Sequence, residues 1–273
     1  MSVTFLTAPE LRRMLKQVSV HMSDDDTLPI LSAVHLESQN GTLYTFATDR
    51  FTMAVARAST VVEGDWAAPI SAGSLPSVIE WLKSAGTAGI RVSAAVDGDL
   101  TEITLSSPTD KLHVSSSTRT YSNPPNWRAL IKGQMDAKAE MVPVTGFDTR
   151  FLARWKHAGP MLMGWHGGPS RALILMNDDG SFIGIQMPIR VGPTRAELSA
   201  KWEDALSPLA HVDGQSYRLD VQWADADGDP WEYTGRTRNG QPLMRLVGID
   251  EDDRTFAQLV AEFSPLRPVP SAA

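Results

Sequence analysis

The chain has 273 residues, 42 % hydrophobic and 21 % charged, with 32 acidic against 25 basic side chains and a formal charge of −7. That length supports one large or two to three small cores, no apolar run reaches the ~18 residues of a membrane span, and no basic segment leading into an apolar stretch marks Met1–Phe5 as a leader. Cysteine is absent, which excludes disulfides, thiolate metal sites and a cysteine nucleophile, so a cytoplasmic protein without a membrane partner is expected.

The charge is uneven. Residues 1–192 carry 17 basic and 18 acidic side chains and residues 193–273 carry 8 and 14, which assigns the acidity to a separate C-terminal module. In chain order, Val3–Leu6 reads as extended, and Thr7-x-x-Glu10 opens a helix over about 8–19 whose Leu11, Met14, Leu15 and Val18 share one face. Asn40-Gly41 marks a hairpin turn. After extended Trp66–Ile70, Ser74 is the expected cap of a second helix, about 75–84, with Leu75, Val78, Ile79 and Leu82 on its stripe. Ile90, Val92, Ala94 and Val96 alternate with other residues, Asp97-Gly98 marks a turn, and Ile103, Leu105, Leu112 and Val114 continue the period of two. Tyr121–Lys132, built around Asn123-Pro124-Pro125-Asn126, reads as an extended connector. Extended Glu140–Val144 then precedes a third helix, about 149–158, capped by Asp148 and burying Phe151, Leu152 and Trp155. Strands follow at Met161–Trp165, Arg171–Met176 and Phe182–Met187.

One unit, strand–helix–three strands, thus occurs three times, at about 1–60, 65–120 and 139–191, and Trp81–Gly86 aligns with Arg154–Gly159 at an offset of 73. The expected fold is α+β: a complete two-unit domain at 1–132, a half domain at 133–192 and a small α+β module at 193–273. In the last, Tyr217, Leu219, Val221 and Trp223 read as one strand, with further strands at Trp231–Thr234 and Leu243–Val247. A short helix there carries Phe256, Leu259, Val260 and Phe263, and a Pro-rich tail follows. Gln258–Phe263 has one residue too many for a Gln-Leu-x-x-Phe binding peptide, and its apolar residues fit a core stripe.

No catalytic residue and no cofactor is expected. His166-Gly167-Gly168 has no Gly-x-Ser-x-Gly elbow to serve, and the six histidines lack metal-binding spacing. Asp225, Asp227 and Asp229 occupy positions 1, 3 and 5 of a calcium loop, but Pro230 and Arg236 stand where Gly and a bidentate Glu are required, so a turn without metal is expected. What remains is basic: Arg12, Arg13 and Lys16 on the first helix, Lys83 on the second, and Arg150, Arg154 and Lys156 on the third. Basic helix faces on a neutral-to-acidic body suit phosphates without general adhesion, and each taken alone also reads as an ordinary solvated face.

Thr27–Glu37 with its Leu-Pro-Ile-Leu core, then Gly41-Thr42-Leu43, Ala47-Thr48-Asp49, Ala68–Ala72, Tyr121–Trp127 and Met187-Pro188-Ile189-Arg190-Val191, resembles the bacterial DNA polymerase III beta sliding clamp family over about residues 1–192. The resemblance implies a DNA-clamp fold and a DNA polymerase processivity factor or DNA-bound partner hub that encircles double-stranded DNA, held by the basic helices without sequence readout, with DNA polymerase or other clamp-binding peptides as partners. It also implies a peptide pocket in which Met187, Pro188, Ile189, Arg190 and Val191 oppose Met14, Thr48, Arg50, Phe51, Met53 and Leu130. Arg50-Phe51-Thr52-Met53 stands where the family has Gly-His-Arg-Leu, and three units replace the family's six. Four such chains would supply the family's twelve units, so a homo-oligomer, with a tetramer foremost, is expected. The alternative is a clamp-derived interaction or regulatory protein that forms no ring.

Overall fold

In the first two units, the leading strand pairs with the other unit's meander and not with its own. β1 (Ser2–Thr7) lies antiparallel to β7 (Gly89–Asp97), which continues into β8 (Leu100–Ser106) and β9 (Lys111–Ser117), while β5 (Val61–Glu63) covers its other edge. Reciprocally, β6 (Trp66–Ser71) pairs with β2 (Ala33–Gln39), followed by β3 (Thr42–Thr48) and β4 (Thr52–Ser59). The exchange ties the two units into one body through backbone hydrogen bonds. This computed structural model describes residues 2–138, 144–168, 171–202, 208–249 and 252–269, in two compact units, 1–191 and 192–273.

The third unit extends the first unit's sheet. β10 (Met163–His166), β11 (Leu173–Met176) and β12 (Phe182–Gln186) form a meander, and β12 pairs with β4, setting Phe182 opposite Ala56 and Ile185 opposite Met53. The result is a seven-stranded sheet in the order β10-β11-β12-β4-β3-β2-β6. Its two faces divide by the strand period of two. Leu43, Ala47, Ala54, Ala56 and Phe182 point to a core shared with α1 (Ala8–Ser19) and α2 (Leu75–Ser84). Phe46, Met53, Val55, Ile174 and Ile185 point the other way, onto Ile131 and Trp127 of α3 (Trp127–Met135). On α1, Leu11, Met14, Leu15 and Val18 are all fully buried, each contributing on the order of 2 kcal/mol. The Thr7 hydroxyl caps α1 by accepting from Glu10 N at 3.3 Å.

Several expectations change. The supposed connector is helical from Trp127, because the Asn126 side chain accepts from Ala129 N and Trp127 and Ile131, one turn apart, bury against the sheet. The third helix is one turn of α4 (Thr149–Leu152) continuing as a 3₁₀ helix over Ala153–His157, with Asp148 capping it as expected. Ser74 occupies the cap position of α2 but with helical backbone angles and no side-chain cap bond; its hydroxyl instead accepts from that of Ser71. The β7–β8 turn is Gly98-Asp99, one residue later than expected. Of Glu140–Val144, residues 140–143 lie outside the described residues.

In the C-terminal compact unit, 192–273, the expected strand through Trp223 is cut in two, since its ends serve different sheets. β13 (Leu209–Val212) and β14 (Gln215–Arg218) form a hairpin, whereas β15 (Trp223–Ala224) joins β16 (Pro230–Arg238), β17 (Gln241–Leu246), β18 (Arg254–Thr255) and β19 (Arg267–Pro268). α5 (Arg195–Ala200) was not foreseen, and α6 (Phe256–Phe263) buries Phe256 and Leu259 against Trp231 and Met244. The Asp225 carboxylate turns inward to accept from Trp231 Nε1 at 3.0 Å and from Asp229 N at 2.9 Å. Among the described residues, no group of three or more His, Asp or Glu side chains is arranged for a metal, and no helix is long and apolar enough to cross a membrane.

His21, just beyond α1, is 0 % exposed, and neither ring nitrogen has a hydrogen-bond partner among the described residues. Its ring lies 4.5 Å from that of Trp155. Burial first, then the Arg154 charge, pushes its pKa from 6.5 down to about 3. Folded His21 therefore stays neutral while the unfolded chain takes up a proton below pH 6.5, so stability present above that pH is lost as pH falls toward 3. Between pH 6.5 and 5 the loss from this group is about 2 kcal/mol. Buried His35 is shifted the same way, so the variant must isolate His21. In urea titrations, His21→Phe is expected to lose about 2 kcal/mol less than wild type over that interval.

Candidate functional site

The β3–β4 turn is the most tightly organised loop of the first unit. Asp49 Oδ1 accepts from Phe51 N at 3.0 Å, Thr52 N at 2.7 Å and Thr52 Oγ1 at 3.1 Å. Thr48 Oγ1 donates to Thr52 O at 2.7 Å and accepts from Arg50 N at 3.1 Å. The second Asp49 oxygen receives Arg154 Nη1 at 2.5 Å, and the same nitrogen reaches Thr52 Oγ1 at 2.8 Å. Both charges are largely buried, with side-chain exposures of 24 % for Arg154 and 8 % for Asp49. Arg154 thus clamps the third unit's helix to this turn.

The turn forms one wall of a cleft of about 290 Å³. Met53 and Ile185, on adjacent strands, form its floor with Leu31; Met187 follows from β12, and Pro125, Leu130 and Gln134 close it from the α3 side. Met187 N donates to Phe51 O at 2.8 Å, which fixes the end of β12 to the turn. Phe51, Leu130 and Met187 keep exposed apolar surface at the mouth.

Of the pocket set expected from sequence, the fold brings together Thr48, Arg50, Phe51, Met53, Leu130 and Met187. Met14 lies elsewhere: it faces the sheet from α1, on the side opposite the cleft. Pro188, Ile189, Arg190 and Val191 do not line the cavity either. There the chain turns to Gly146, whose carbonyl accepts from Ile189 N at 3.0 Å, and an added Cβ at Gly146 would stand 2.4 Å from Val191 Cγ1. Leu31, Thr52, Pro125, Gln134 and Ile185 went unnoticed in the sequence. Ile185 shares a strand face with Met187, and Gln134 lies one helical turn beyond Leu130, so recognising α3 would have found both.

The three helices form a row, with α1 in the middle. α2 packs on one side of it, and on the other Gln17 Nε2 donates to Ala158 O at 3.1 Å while His21 meets Trp155. The seven candidate cations differ in their surroundings. Lys16 and Lys156 are exposed and make no ion pair among the described residues. Exposed Arg13 donates to Gln17 Oε1 at 2.9 Å, and Arg12 is half-buried with its Nε shielded and unpartnered. Lys83 pairs with Glu80 at 3.4 Å, and Arg150 pairs with Asp148, whose carboxyl its hydrogen bonds hold below the usual range. Arg154 is committed to Asp49.

Arg154→Ala is expected to cost about 2–3 kcal/mol in urea unfolding, because it strands the Asp49 carboxylate among buried groups. Arg154→Lys should recover only part of that, since one ammonium cannot reproduce the guanidinium's geometry. A loss below about 0.5 kcal/mol for Ala would mean the pair does not hold the turn.

No curated protein matches the chain in sequence. Residues 6–70 match the family described as DNA polymerase III beta subunit, central domain. The fold is similar to the DNA polymerase III beta subunit of Thermotoga maritima (TM-score 0.58, 17 % identity, 70 % of this chain and 66 % of that one). It is similar also to the DNA polymerase sliding clamp of Pseudomonas aeruginosa (0.52, 12 %, 69 % and 67 %). The chain spans about two thirds of the length of these structures. With its α+β architecture of repeated units, it is a distant structural match, over about 70 % of its length, to the DNA polymerase III beta sliding clamp family.

Proposed function

We propose that this protein is a sliding-clamp-like hub on DNA, without catalytic activity of its own, that recruits a DNA polymerase or other proteins through short peptides seated in the cleft. The observation that carries the reading is the cleft itself, where a pre-organised polar turn presents apolar side chains from two adjacent strands, with a helix closing the other side. Such a surface accepts linear peptides with apolar anchors, and the flexible thioethers of Met53 and Met187 adapt to their shapes. In this reading double-stranded DNA passes along the helix row and is held by phosphate contacts alone, so binding is sequence-independent. Copies of the chain assemble around it through open sheet edges such as β10, which ends the seven-stranded sheet.

A second reading, a clamp-derived interaction protein that forms no ring, is favoured by the pairing of Lys83, Arg150 and Arg154 with nearby carboxylates. That pairing reduces the cations without an ion pair among the described residues of the row to Arg12, Arg13, Lys16 and Lys156.

Fluorescence anisotropy of a labelled Gln-Leu-Ser-Leu-Phe peptide tests the cleft. Saturable binding to wild type is expected, with about five-fold weaker affinity for Met187→Ala, whose truncation removes one wall. No binding by wild type would dismiss the cleft as a peptide site. The DNA limb is checked on nicked circular DNA across a salt series. Affinity should fall steeply with salt, drop further in Lys16→Ala/Lys156→Ala, and be largely lost when the circle is cut. Salt-sensitive binding indifferent to cutting, by a monomeric chain, would favour the second reading.

A further inference from the structure

Among the described residues lining the cleft, Arg50 is the single ionisable one. Its φ is +79°, in the left-handed region, where a residue bearing a Cβ is strained by on the order of a kcal/mol relative to glycine. The hydrogen bonds of the Thr48–Thr52 turn impose that conformation, through Arg50 N on Thr48 Oγ1 and Phe51 N on Asp49 Oδ1. Glycine would adopt it freely, so the arginine is kept there against a local cost. Non-glycine residues held in such conformations cluster at binding sites, where the surroundings enforce them.

The guanidinium is also available. Arg50 is exposed and forms no ion pair among the described residues. The Asp25 carboxyl is depressed first by the Thr27 hydroxyl and backbone, and only last by the Arg50 charge. Its Oδ1 is taken by Thr27 Oγ1 at 2.5 Å and Thr27 N at 3.0 Å. Next to Arg50, Phe51 offers an exposed ring backed by Phe151, with the ring centroids 5.3 Å apart. The rim therefore combines one open cationic fork with an apolar floor of Met53 and Ile185.

We propose, resting on the reading of this cleft as a peptide site, that Arg50 makes it select peptides carrying a carboxylate beside their apolar anchors. A guanidinium can take a carboxylate through two parallel hydrogen bonds, which an amide side chain cannot match. The pair forms at a solvent-exposed rim, so the gain is modest, about three- to five-fold in affinity, and shrinks with salt.

The test uses C-terminally amidated peptides on a Gln-Leu-Ser-Leu-Phe frame, with Asp or Asn placed before the Gln, between the two Leu, or after the Phe. Each pair is titrated by calorimetry against full-length wild type and Arg50→Gly. At one position at least, the Asp peptide is expected to bind wild type about three- to five-fold tighter than its Asn partner at low salt, with the ratio falling to one in Arg50→Gly. The thermal midpoint of Arg50→Gly, at or above that of wild type, shows that the variant folds and that the strain has been relieved. Equal affinity of wild type for Asp and Asn peptides at all three positions would overturn the inference and leave the cleft reading standing. An Asp preference that survives in Arg50→Gly would overturn the assignment to Arg50, and failure of wild type to bind any peptide would overturn both.

Discussion

The geometry of the cleft depends on the ion pair between Asp49 and Arg154. Asp49 is almost completely buried, and one of its oxygens already organises the turn through three hydrogen bonds. An isolated carboxylate in that position would be costly to bury, and the Arg154 guanidinium offsets this by satisfying the remaining oxygen. Because Arg154 comes from a helix about a hundred residues away, the pair also fixes where the third unit sits against the first. The shape of the turn and the packing of the third unit therefore stand or fall together.

Small residues on one face of the sheet make that packing possible. Ala47, Ala54 and Ala56 lie beneath α1, and Gly184 lies beneath the third helix. A Cβ at Gly184 would stand 2.3 Å from Trp155 Cζ3, so the indole can approach the strand this closely only over a glycine. The Trp155 Nε1 then donates to Gln186 Oε1 at 2.5 Å, and the ring also meets that of His21 at a tilt of 44°. The other face of the sheet bears larger side chains, Phe46, Met53, Val55 and Ile185, and leaves room beside α3 where the cleft opens. One alternating pattern thus makes a close-packed helix layer on one side and a partly open surface on the other.

The electrostatics follow the same division between structural and available charge. On the helix row, Arg154 is spent on folding, while Lys83 and Arg150 have acidic neighbours on their own elements. Lys16 and Lys156 remain exposed and make no ion pair among the described residues. A count of basic residues on helices overstates the free positive charge, because in high dielectric each local pair largely cancels the field seen by a distant phosphate.

The local elements were legible in the amino-acid sequence. The stripe of Leu11, Met14, Leu15 and Val18 specified α1 to the residue, Asn40-Gly41 specified its hairpin, and the strand–helix–three-strand recurrence specified the α+β class, because these signals act between neighbours in the chain. α3 was missed since its Pro-rich approach conceals a helix whose stability comes from burying Trp127 and Ile131 on a sheet formed elsewhere. Six cleft residues were recognised from the resemblance, yet Met14 was assigned there too, since a linear pattern reports which residues are apolar and not which side of a sheet they face. Which strands exchange, that β12 joins β4, that Arg154 serves Asp49, and that Arg50 stands at the rim without an ion pair among the described residues were all decided by tertiary structure. Each depends on contacts between residues far apart in the chain, whose pairing no local spacing encodes.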